Sequence, residues 1–249
     1  MMNDYILKAE GITKCYEGES VVEDISIHLG RGELVCLLGV SGSGKTTLFH
    51  VLSGLNPPER GRVLLRGQDI TGKPGHISYM LQKDLLLPHK KIVDNVALPL
   101  VLRGEKKKAA REKAAAYFEQ FGLGGTEMKY PAQLSGGMRQ RAALLRTYLG
   151  SQGVALLDEP FSALDALTKS DIHEWYLSVM AEIELSTLFI THDIDEAVRL
   201  SDRIYILGGK PGRILTELKI EPSRPRGKDF SLTPEFAEYK RTILSYLDK

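Results

Sequence analysis

An apolar run, Leu34-Val35-Cys36-Leu37-Leu38, passes without a break into Gly39-Val40-Ser41-Gly42-Ser43-Gly44-Lys45-Thr46-Thr47. Nothing else in the chain restricts the fold as much. Five consecutive apolar residues suit a strand buried on both faces, as in a parallel sheet covered by helices. The residues that follow fit G-x-x-x-x-G-K-[ST], a loop that leaves a strand and opens a helix. Its glycines let the backbone curl closely round an anion, and successive N–H groups then point inward at phosphate oxygens. In such a loop Lys45 bridges the β- and γ-phosphates of a nucleotide, and the Thr46 hydroxyl ligates Mg2+.

A second apolar strand, Val154-Ala155-Leu156-Leu157, ends in Asp158-Glu159-Pro160. An acid at the C-terminal edge of a buried parallel strand faces the ligand crevice. Two acids capping a strand are common and weak on their own. Joined to the phosphate loop they take roles: Asp158 holds Mg2+, directly or through water, and Glu159 polarises an attacking water as general base.

The remaining pattern is α/β. Residues 5–10 and 21–29 alternate apolar and polar side chains and read as antiparallel strands. Lys45 to Leu55 reads as a helix, Val63 to Leu65 and Ile77 to Met80 as short strands. Helices are expected over 104–121, 135–149, 168–183 and 194–200, and strands over 187–191 and 203–207. Strands alternating with helices imply a mostly parallel sheet with both faces covered. The antiparallel strands form a small β subdomain, and the strand-free stretch of about 83–150 a helical one. Residues 4–218 then make the main unit. The Pro- and Arg-rich stretch from Lys219 to Lys228 reads as a linker to a last helix, with Thr233 as cap and Pro234 at its first position. Phe236, Tyr239, Ile243, Leu244 and Leu247 share a stripe on that helix, which should pack on the domain or a partner.

A net charge of +1, from 33 basic and 32 acidic residues, argues against broad, non-specific nucleic-acid binding. The basic face of 104–121, with Lys106, Lys107, Lys108 and Arg111, is diluted by Glu105, Glu112 and Glu119 and reads as a solvated helix face. Cys15 and Cys36 have no metal or redox spacing and read as small packed side chains in a reducing compartment. The first five residues lack the layout of a secretion signal. The longest apolar stretch, Ile92 to Leu102, is broken by Asp94, Asn95 and Pro99, and falls short of the roughly 18–20 residues of a bilayer span. The expectation is a soluble cytoplasmic chain that reaches any membrane through a partner.

Between the phosphate loop and the Asp-Glu-Pro strand end lies Leu134-Ser135-Gly136-Gly137-Met138-Arg139-Gln140-Arg141. It resembles the signature loop of the ATP-binding cassette (ABC) ATPases, a resemblance that covers roughly residues 5–215. It implies a P-loop ABC cassette binding ATP and Mg2+ as a head-to-tail dimer, with Ser135, Gly136 and Gly137 of one copy closing over the nucleotide on the other. It also implies roles by position. Tyr16 resembles the aromatic that stacks on adenine. Gln82 looks like the Q-loop glutamine that contacts Mg2+ or the water and senses a transmembrane partner. Asp165, in Ser162-Ala163-Leu164-Asp165, resembles the D-loop of the dimer interface. His192 looks like the switch histidine at the γ-phosphate. His28, His50, His76, His89 and His173 match no family position, and Trp175 reads as helix packing.

Leu85-Leu86-Leu87-Pro88-His89 followed by Asp94-Asn95-Val96, and the Arg224-Pro225-Arg226 tail, are similar to cassettes of the nitrate/sulfonate/taurine import group, which usually carry Trp where this chain has His89. The resemblance implies permease subunits, and indirectly a solute-binding protein, as partners at the cytoplasmic face of the cell membrane, and no nucleic acid. A soluble ABC-type ATPase acting on nucleic acid or ribosomes is the competing reading. Residues 48–133 hold no sustained heptads, and the single set of motifs shows no internal repeat, so the import reading is preferred. A P-loop kinase leaves the signature loop, Gln82 and His192 unexplained.

Overall fold

The computed structural model describes residues 5–162, 166–224 and 226–247. The first half runs β1 (Tyr5–Tyr16), β2 (Glu19–Gly30), β3 (Leu34–Gly39), α1 (Lys45–Leu52), β4 (Arg60–Leu65), β5 (Gln68–Asp69) and β6 (Ser78–Met80). Helices α2 (Ile92–Val96), α3 (Leu98–Leu102), α4 (Lys107–Ala115) and α5 (Gly136–Gly150) follow. Then come β7 (Val154–Asp158), α6 (Ala166–Ile183), β8 (Ser186–Thr191), α7 (Ile194–Leu200), β9 (Arg203–Gly208), β10 (Arg213–Lys219) and α8 (Pro234–Leu247).

Two sheets result. The first is antiparallel, in the order β2-β1-β4-β5, with Lys8 opposite His28 and Ala9 opposite Ile27. The second has the order β10-β9-β3-β8-β7-β6. Its five strands from β9 to β6 are parallel, and β10 lies antiparallel on the edge. β3, β7, β8 and β9 are buried along their whole length, as continuous apolar runs require. Alternation through β3 sorts its side chains into two cores. Leu34, Cys36 and Leu38 join the core under the helices, while Val35 and Leu37 join the core shared with α1 and the antiparallel sheet. Each large aliphatic side chain buried this way contributes about 1.5–3 kcal/mol. The strands that carry the phosphate loop and the acids are therefore held from both faces.

Several elements depart from the sequence-based expectation, and three of them have a plain physical reason. The helix expected over 104–121 ends at Ala115, where the chain tightens to bonds from Tyr117 N–H to Ala114 O and from Phe118 N–H to Ala115 O. That tightening turns Phe118 and Phe121 into the core, where Phe121 meets Tyr148 and Trp175. The first helix stops at Leu52, because Gly54 takes a left-handed φ of 76° against the backbone of Lys73. β10 had no counterpart in the sequence reading. It is a half-exposed edge strand with alternating burial, and its apolar signal is correspondingly weak.

The stretch after β10 is packed rather than free. Arg226 is buried and donates to the carbonyls of Pro222, Val198, Arg199 and Ile220. The Thr233 hydroxyl caps α8 by accepting from Phe236 N–H at 3.2 Å, and Phe236 and Ile243 are buried. Lys240 pairs with Asp195 of α7 at 2.6 Å. Among the described residues no helix is long and apolar enough to cross a membrane.

Candidate functional site

β3 and α1 are joined by the phosphate loop at the C-terminal edge of the parallel sheet, where β7 and β8 also end. Gly42 and Gly44 have φ of 80° and 95°, a left-handed region that a side chain resists. A side chain on Gly39 would run into the Leu207 carbonyl, and one on Gly44 into Val22. Those glycines let the loop fold down on the sheet. Lys45 is buried, and its ammonium donates to the carbonyls of Gly39 and Val40 at 2.7 and 2.8 Å. Burial pulls its pKa down, while the nearby Glu159 and Asp158 charges hold it up.

Asp158 ends β7 facing α1. Its Oδ2 accepts from the Thr46 hydroxyl at 3.3 Å and from the Tyr79 hydroxyl at 3.0 Å. Burial pushes its carboxyl above the usual range, against the pull of those two hydrogen bonds. Glu159, the next residue, has a φ of 46°, uncommon for a residue with a side chain and a feature that clusters at functional sites. One carboxylate oxygen lies 3.1 Å from His192 Nδ1, and the other accepts from Gln82 Nε2 at 3.1 Å. Gln82 also donates to Ser162 Oγ at 3.3 Å.

One open cavity of about 660 Å3 collects these groups: Ser41, Gly42, Gly44, Lys45, Thr46 and Thr47 from the loop, with Gln82, Asp158, Glu159 and His192 opposite. Ser43 is buried beneath the loop. Tyr16, Ser135, Gly136 and Gly137 do not line this cavity. Tyr16 is exposed at the end of β1 and does not line the cavity; its hydroxyl accepts from Asn56 Nδ2 at 2.9 Å. Ser135 is the N-cap of α5, accepting from Met138 N–H at 3.3 Å, with Gly136 and Gly137 as the first helical residues. Gly136 lines a second cavity of about 810 Å3 with Asp84, Leu86, Arg139 and Ser162. Asp165 lies outside the described residues. Helix α5 is nonetheless tied to the segment that follows Glu159, because Gln140 donates to the Pro160 carbonyl. Tyr79 escaped the sequence reading, which saw it only as part of a short strand; its hydroxyl bond to Asp158 becomes visible once β6 pairs with β7.

The family model described as ABC transporter matches residues 22–162, more than half of the chain. The chain belongs to the ABC transporter family. The cassette is 43% identical to the formylaminopyrimidine import ATP-binding protein of Halalkalibacterium halodurans, over 96% of this chain and 93% of that one. It is 37% identical to the nitrate import ATP-binding protein of a Synechocystis species, over 91% and 87%. Among solved structures it resembles a dimeric ATP-binding cassette in a post-hydrolysis state with ADP and Pi bound, at a TM-score of 0.74 and 27% identity, covering 87% of this chain and 100% of that one. A cassette from a Clostridium perfringens transporter complex shares the fold at a TM-score of 0.80 and 24% identity, over 98% and 97%. The protein is an ATP-binding subunit with ATPase activity, built on the ABC cassette fold.

Proposed function

We propose that the cassette energises solute import by hydrolysing Mg-ATP at the interface of a head-to-tail dimer, bound to permease subunits at the cytoplasmic face of the membrane and served by a solute-binding protein. The observation that carries this reading is the single cavity joining Lys45 and Thr46 to Gln82, Asp158, Glu159 and His192. The names of the import subunits to which the chain is similar support the direction of transport and the partners.

The donor set fits Mg2+. Thr46 and Asp158 present two oxygens 3.3 Å apart, with the Gln82 amide across the cavity. Mg2+ is commonly held by one or two carboxylates completed by water and substrate phosphates, and when bound it supplies charge for the phosphate oxygens. Lys45 then holds the phosphate chain from the buried side and loop N–H groups hold it from below. Tyr16 flanks the base. Glu159 accepts a proton from the attacking water, and His192 contacts the γ-phosphate oxygens while holding the Glu159 carboxylate in place. Ser135, Gly136 and Gly137 of the second copy, with the start of its α5, provide another set of N–H donors on the open side. The resemblance to the D-loop supports a dimer-interface role for Asp165. Residues 4–218 act as the cassette, about 83–150 as the helical unit that moves with the permease, and 219–249 as the C-terminal attachment.

ATP turnover by the full chain and by Glu159→Gln tests the chemistry. The substitution keeps ATP binding and lowers hydrolysis by about 10²–10⁴-fold, the scale of a lost general base. Equal turnover in the two proteins removes Glu159 from the role.

A further inference from the structure

The buried titratable groups behind the nucleotide cavity include one pair that the mechanism above leaves unused, Glu196 in α7 and His173 in α6. Glu196 is 3% exposed and His173 5%. Their nearest oxygen and nitrogen, Oε1 and Nε2, are 3.6 Å apart. Removing a carboxyl from water is costly unless it is hydrogen-bonded, so its presence here calls for a reason.

The reason lies in what the pair touches. Thr191, at the end of β8, donates its hydroxyl to Glu196 Oε2 at 2.5 Å. The same hydroxyl oxygen accepts from the Asp193 N–H at 3.0 Å. His192 thus sits between two residues fastened to one hydroxyl, and Glu196 fixes that hydroxyl. Asp193 completes the turn as N-cap of α7, accepting from the N–H groups of Asp195 and Glu196 at 2.9 and 3.2 Å. On the other side the His173 ring packs edge-on against Phe161, centroids 4.7 Å apart at 78°. Phe161 is buried two residues beyond Glu159. One carboxyl–imidazole pair is therefore wedged between the segment that bears Glu159 and the turn that bears His192.

We propose that Glu196 and His173 are positioning residues for ATP hydrolysis, Glu196 acting through Thr191 to set the His192 turn and His173 bracing it against the Glu159 segment. The inference rests on the reading that His192 acts at the γ-phosphate. Misplacing a catalytic group by about 1 Å can cost on the order of 100-fold, so a partial displacement should cost tenfold or more.

The test is single-turnover hydrolysis at saturating Mg-ATP by the full chain, with ATP affinity measured alongside. Thr191→Val keeps the side-chain shape and removes the hydroxyl. It should slow hydrolysis by about tenfold while leaving ATP affinity within about twofold. Glu196→Ala and His173→Leu should fall in the same direction, and Glu196→Gln, which retains an acceptor oxygen, should keep most of the rate. In a His192→Ala background none of these changes should slow hydrolysis further, because the group they position is gone. An unchanged rate for Thr191→Val, the same fold loss in both backgrounds, or a matching loss of ATP affinity overturns the proposal. Full activity in His192→Ala alone refutes the parent reading of His192, and the inference falls with it for that separate reason.

Discussion

Asp158 carries two opposed demands. Its carboxyl would have to be ionised to hold the proposed Mg2+, yet burial pushes its pKa up. A carboxyl whose folded pKa is raised takes up protons in the folded state that the unfolded chain does not. Its contribution to stability is therefore present below the unfolded pKa and is lost as pH rises through the folded one. Asp158→Asn removes that neutral-pH cost while keeping an acceptor for Tyr79 and Thr46. Without nucleotide, the variant should melt above wild type at pH 7 and converge with it near pH 4. Thermal unfolding at the two pH values checks this, and a variant that melts lower at pH 7 contradicts it. Lys45 is the complementary case, a buried ammonium surrounded by carbonyls and carboxylates. Lys45→Ala should weaken ATP binding by about 10–100-fold, the scale of one or two charge-assisted hydrogen bonds. A nucleotide titration that finds an unchanged Kd contradicts the placement.

At the scale of elements, the sequence was most legible where chemistry and burial coincide. β3 and β7 are apolar runs because both their faces are covered, and each leads at its C-terminal end into residues that line the cavity. α7 was legible to its last residue, since Asp193 caps it and the stripe is short. β10 and the early end of α4 were not, because edge pairing and aromatic side chains turning inward are decided by tertiary neighbours. Nor did the sequence disclose that Glu196 reaches Thr191, or Tyr79 reaches Asp158. The Arg226 segment shows the same limit. In sequence it looks like tether, yet its guanidinium covers the last carbonyls of α7, which a helix end leaves without intrahelical partners. Burial draws that guanidinium down to about 10, so it is still charged at neutral pH. Arg226→Ala should destabilise the fold by about 2–3 kcal/mol, the cost of leaving buried carbonyls unpaired. Denaturant unfolding measures this, and a loss below about 0.5 kcal/mol, the scale of an ordinary surface substitution, contradicts it.

At the scale of the whole molecule, the phosphate loop and the Ser135-Gly136-Gly137 loop do not line one cavity. The phosphate loop lines the first cavity, and none of Ser135, Gly136 and Gly137 does. Ser135 instead caps α5, and Gly136 lines the second cavity, which adjoins the first through Gln82, Glu159 and His192. A helix N-terminus of this kind attracts phosphate, and in the proposed head-to-tail dimer a second copy would supply one. The motif order made that half-site legible in the sequence, but no spacing within one chain states where the other half comes from. The similarity to a dimeric cassette with ADP and Pi bound supports the answer that it comes from a second copy. The most direct measurement is the mass in solution of Glu159→Gln, with and without ATP, alone and combined with Ser135→Arg. Dimers with ATP in the single variant, and monomers under the same conditions in the double variant with ATP affinity retained, are the predicted result. Monomers throughout, or dimers that Ser135→Arg does not disturb, would contradict a nucleotide site shared between two chains.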